Sequence, residues 1–80
     1  MPVVLRKDGF KFLFYGNEGT PREPVHIHVK QGRDEAKFWL SPVVALAYNR
    51  GLSRPALGHA QELVEAHRAE LEGAWHDFFS

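Results

Sequence analysis

Eighty residues without a cysteine, in which ten basic side chains balance ten acidic ones, describe one small domain, residues 1–80, that must stand on packing alone. Disulfide frameworks, thiolate zinc sites and cysteine nucleophiles are excluded together. With no net charge the molecule has no long-range field to draw it to nucleic acid, and no apolar run approaches the roughly 20 residues of a membrane span, so a soluble, cytoplasmic protein is expected. Charge is nonetheless distributed unevenly, with seven Lys and Arg against five Asp and Glu in residues 1–40 and three against five in residues 41–80.

Val3 to Arg6 reads as a short strand, Asp8-Gly9 as its turn, and Phe10 to Tyr15 as a second strand whose even positions are all phenylalanine. Residues 16–24 are rich in turn formers and too polar for a core, so they read as a mobile surface loop. Val25 to Lys30 follows as a third strand, Gln31 to Asp34 as a turn and Glu35 to Leu40 as a fourth strand, completing an antiparallel meander. Ser41-Pro42 has the form of a helix start and Gly51 of a stop, which predicts a short helix. Ser53, with Pro55 behind it, opens a long helix to about Phe78, on which Leu57, Ala60, Val64, Leu71, Trp75 and Phe78 share one stripe. The expected fold is α+β, with a four-stranded antiparallel sheet over residues 1–40. The helical residues 41–80 cover one of its faces.

Alternation sorts the strand residues into two sets. Phe10, Phe12, Phe14, Val25, Ile27, Val29, Ala36, Phe38 and Leu40 are wholly apolar and are expected beneath the helix. Lys11, Leu13, Tyr15, His26, His28, Lys30, Lys37 and Trp39 form a mixed face that no second layer is available to cover. On that open face Pro24-Val25-His26-Ile27-His28-Val29 projects two imidazoles from one side of a strand. Because histidine titrates near neutrality, a close pair can hold one neutral and one protonated ring, as acid–base cleavage of a phosphodiester needs. RNA supplies its own 2′-hydroxyl nucleophile. His26 and His28 are therefore candidate base and acid of a metal-independent ribonuclease, and Lys11, Tyr15, Lys30, Lys37 and Trp39 are candidate binding residues. Lysines would neutralise phosphates and rings would stack on bases. The competing readings are an ordinary solvated sheet face, a non-enzymatic binding module, antitoxin or regulator that recognises protein or nucleic acid through this face, and a small structural dimerisation domain. A metal would need a further ligand from His67, Asp34 or Glu35; His67 faces the opposite side of the sheet, so neither metal nor cofactor is expected.

Several segments together resemble one family. These are Val4-Leu5-Arg6 with Asp8-Gly9-Phe10, Leu13-Phe14-Tyr15, the Pro-x-His-x-His-Val of Pro24 to Val29, and His67-Arg68-Ala69-Glu70-Leu71 with Trp75. The chain resembles domain-of-unknown-function family 4160, small bacterial and phage-borne proteins, over nearly its whole length; a frequent double proline is here Pro24-Val25. The resemblance implies a toxin component of a toxin–antitoxin pair with a small antitoxin-like partner protein, while the large indole of Trp39 on the open face leads to the expectation that a partner or a second copy of the chain covers it. It marks His26 and His28 as functional positions and Trp75 as core.

Overall fold

Two tight turns set the register of the sheet. In the computed structural model, which describes residues 3–16 and 23–79, strands β1 (Val3–Lys7) and β2 (Phe10–Leu13) are joined through Asp8 and Gly9. Their φ values of 53° and 84° have the paired positive sign of a type I′ hairpin. Strands β3 (His26–Gln31) and β4 (Asp34–Trp39) turn at Gly32, where φ is 62° and the following Arg33 is not in the positive region, as a type II′ turn requires. The predicted loop over residues 16–24 falls largely on residues 17–22, outside the described residues.

The sheet has five strands in the order β1-β2-β3-β4-β5, each antiparallel to its neighbour. The predicted short helix between Ser41 and Gly51 is instead the fifth strand, β5 (Ala45–Arg50). Ala45, Leu46 and Ala47 are good helix formers, but a helix there would leave the outer backbone groups of β4 without a ladder partner. That requirement overrides local propensity. The register shifts so that Lys37 lies opposite Tyr48 while Phe38 lies opposite Leu46, making Ala47 the extra residue of a β-bulge.

Helix α1 (Arg54–Ala66) begins as predicted, with the Ser53 hydroxyl accepting the Ala56 N–H at 3.2 Å. The long helix breaks at His67, where φ is −107° and ψ is 16°, and α2 (Arg68–Phe79) continues beyond it. A straight helix from Arg54 to Phe79 would be roughly 39 Å long at about 1.5 Å per residue, more than the 34 Å greatest extent of the molecule. The break lets Ala60, Leu63 and Val64 of α1 and Leu71 and Trp75 of α2 join one core with Phe10, Phe12, Phe14, Ile27, Val29, Ala36, Phe38 and Leu40. Phe78, predicted in the buried stripe, is 42% exposed.

The apolar set lies in the core as alternation predicts, but the opposite face is only partly open. Leu13, His26, His28 and Lys37 are buried on it, His26 completely. Trp75 closes one end of the sheet, its ring 5.4 Å from that of Phe14, from the apolar set, and 4.7 Å from that of His26 on the other face. One helix residue thus reaches around to both sides.

Candidate functional site

Cross-strand pairing brings the predicted residues into adjacent rows. Leu13, His28, Lys37 and Tyr48 lie opposite one another across β2 to β5, and His26, Trp39 and Ala45 form the next row. Residues so paired share a face and sit about 5 Å apart. The His28 ring lies 4.4 Å from that of Tyr15 and 6.3 Å from that of Tyr48, between two phenols. His26 meets His28 edge-on at 5.2 Å and Trp39 edge-on at 5.7 Å. The two imidazoles are neighbours, as the spacing predicts, but they are walled by aromatic rings rather than turned to water.

The hub of the site is a residue to which the sequence reading assigned only a metal-ligand role. The Glu35 carboxylate accepts the Tyr15 hydroxyl at 2.5 Å on one oxygen and the Tyr48 hydroxyl at 2.5 Å on the other. His28 Nδ1 lies 3.2 Å from the second oxygen and 3.3 Å from the Tyr48 hydroxyl oxygen. An ionised carboxylate has no proton to give, so Nδ1–H of His28 is the donor. His26 Nδ1 lies 2.9 Å from the Pro24 carbonyl, which likewise makes Nδ1–H the donor. Burial alone would raise the Glu35 pKa, but the two phenolic hydrogen bonds and the His28 imidazole outweigh it and hold the carboxyl below its ordinary 4.5. Tyr48 is pushed well above its ordinary 10, first by burial and then by the hydrogen bond to Glu35 and its charge.

The remaining predicted binding residues divide. Lys37 is buried, with its Nζ 2.7 Å from Glu23 Oε1 and 4.5 Å from the Trp39 ring centroid, so it holds the site together instead of standing ready for phosphate. Lys11 is exposed and Lys30 half-buried, directly opposite each other. Tyr15 and Trp39 are half-buried beside the histidines. His67 caps the helix junction with Nδ1 3.2 Å from Glu70, and among the described residues no three His, Asp or Glu side chains are gathered where they could hold a metal ion.

Three participants are not among the binding residues drawn from strand parity. Glu35 shares the parity of Lys37 and Trp39, so alternation alone could have placed it on this face. Tyr48 was hidden by the predicted helix, and Glu23 lies in the predicted loop.

The family model described as Domain of unknown function (DUF4160) matches residues 9–76, which span this face from Lys11 to Tyr48 and the closing Trp75. The chain belongs to DUF4160. No curated protein and no solved structure matches it. Within this DUF4160 chain the matched span holds the Glu35 hub and both histidines, while Arg6 of β1 lies before it.

Proposed function

We propose that this DUF4160 protein is a binding module that holds single-stranded RNA on the face centred on Glu35, without cleaving it. The observation that carries the reading is a contrast in access. His26 and His28 are sealed, at 0% and 2% exposure, whereas the rings beside them, Tyr15, Trp39 and Tyr48, keep part of their surface in solvent. Acid–base chemistry needs an imidazole within reach of the reacting proton, while stacking needs only an accessible ring face. The two phenolic hydrogen bonds to Glu35 fix Tyr15 and Tyr48 in advance, and Trp39 lies edge-on to His26 beneath the Lys37 ammonium, so little side-chain freedom is lost when a base settles on these rings.

Fluorescence anisotropy of a labelled oligouridylate tests this. Binding by the parent is expected, with Trp39→Ala weakening it roughly 5- to 150-fold, the equivalent of about 1–3 kcal/mol for one stacked base. The RNA should emerge intact. A parent chain that binds no oligonucleotide overturns the reading.

A second reading is a toxin-type, metal-independent ribonuclease using His26 and His28. It is favoured by the 3.2 Å contact of His28 with Glu35, since a carboxylate that orients an imidazole is a recurrent acid–base arrangement. Expression in bacteria separates the two: growth arrest and RNA cleavage relieved by His28→Ala, with RNA binding retained, would establish the enzyme. An antitoxin-like partner, or a second copy seated on this face, would compete with RNA under either reading.

A further inference from the structure

One line of cationic side chains on the same face lies outside the hydrogen bonds of the Glu35 network. Reading across the ladders at right angles to the strands, Arg6 lies opposite Lys11, Lys11 opposite Lys30, Lys30 opposite Glu35, and Glu35 opposite Arg50. Directly opposed residues share a face, so this is one row of four cations interrupted by one carboxylate. At about 4.8 Å between strands it spans roughly 19 Å.

Like charges set directly opposite each other destabilise a sheet, and here three follow in succession. The one carboxylate in the row does not relieve them, because both of its oxygens are drawn sideways to Tyr15, Tyr48 and His28. Among the described residues the ion pairs leave out Arg6, Lys11, Lys30 and Arg50, and Arg50 lies instead with its guanidinium 4.5 Å from the Tyr48 ring centroid. Between Lys11 and Lys30 opens a cavity of about 180 Å³, walled by Val3, Gly9, Leu13 and Gly32. Its two glycines belong to the hairpin turns and place no side chain over it.

We infer that Arg6, Lys11, Lys30 and Arg50 form a phosphate track, along which the sugar–phosphate backbone of single-stranded RNA crosses the sheet perpendicular to its strands. For its ligand the inference rests on the RNA-binding reading above. The track lies one row from His28 and Tyr48, so bases turned inward from it meet the phenols and Trp39, and phosphates cancel the repulsion that the fold leaves uncompensated.

Salt dependence and stability test the track together. For single strands each phosphate contact contributes about −0.7 to the slope of log affinity against log salt, so four contacts predict roughly 50-fold weaker oligouridylate binding between about 50 and about 200 mM salt. In the triple variant Arg6→Gln/Lys11→Gln/Lys30→Gln, with Arg50 alone, the same change should weaken binding only about 3-fold. Because the variant loses repulsion, it should melt no lower than the parent; a lower melting temperature, or an unchanged salt slope with RNA still bound, overturns the track and leaves the RNA reading standing. Linear polyphosphate is the second probe. If the parent binds polyphosphate and the variant does not, while neither binds RNA, the track stands and the RNA reading fails. Failure to bind either probe overturns both.

Discussion

At the residue scale the telling group is Glu35, a partly buried carboxylate kept ionised by two phenols and an imidazole. Its folded pKa lies below the ordinary 4.5, so between those two values the unfolded chain binds the extra proton and stability climbs with pH. The contribution is complete above the ordinary value and is lost as pH falls through the depressed one. Glu35→Gln should abolish this acid limb and lower stability at neutral pH by about 1.5–3 kcal/mol, the range for hydrogen bonds to a charged group, as measured by urea unfolding across pH. The same variant removes the charge that helps hold the Tyr48 proton, so the ultraviolet titration of that phenol should move back toward 10. In the parent, the raised Tyr48 pKa means stability falls as pH rises beyond 10, where the unfolded chain releases the proton first. His26 and His28 were legible as a same-side pair because strand parity is a property of the chain alone. Their burial was not, since the rings that wall them arrive from Tyr15, Tyr48 and Trp75, distant in sequence.

At the element scale the corner between β5 and α1 is the most demanding connection. Gly51 has φ 103°, and a Cβ there would run into the Asp34 carboxylate. Asn49 closes the corner by donating to the Leu52 carbonyl at 3.0 Å and accepting the Leu52 N–H at 3.1 Å. Gly51→Ala is expected to cost about 1–3 kcal/mol in thermal unfolding, the range for strained backbone. Adding Asp34→Gly should recover the part due to collision while leaving the part due to φ. Turn chemistry is readable at three places, Asp8-Gly9 and Gly32, which fall where the residues indicate, and Ser53, which caps the helix it predicts, while the equally local Ser41-Pro42 signal misleads by pointing to a helix where β5 runs. Strand β5 was not readable, because its reason for existing is the unpaired edge of β4 rather than anything in Ala45-Leu46-Ala47. The break at His67 carries neither glycine nor proline, and its effect is to bring the buried residues of both helices, Ala60, Leu63, Val64, Leu71 and Trp75, into one core.

At the scale of the molecule, a chain with no net charge separates its charges by layer. Glu62, Glu65, Glu70, Glu72 and Asp77 ride on the helices, while Arg6, Lys11, Lys30 and Arg50 line one row of the sheet. Composition could exclude a global field but could not show this local one. The two layers are joined at Trp75, 1% exposed and in contact with Phe14, Phe79 and His26. Trp75→Ala should cost about 3–5 kcal/mol, a large share of the stability of so small a fold. Trp75→Phe should retain most of it, as differential scanning calorimetry would show.

The chain contains two tryptophans, and the His26 imidazole touches both, Trp39 at 5.7 Å and Trp75 at 4.7 Å. One indole is half-buried and the other sealed, so their emission colours differ, and a single ring lies between the two chromophores. Occupancy of the sheet face would perturb Trp39 first, and unfolding would perturb both. The protein thus carries an intrinsic two-channel optical gauge that separates ligand arrival from loss of structure without any added label.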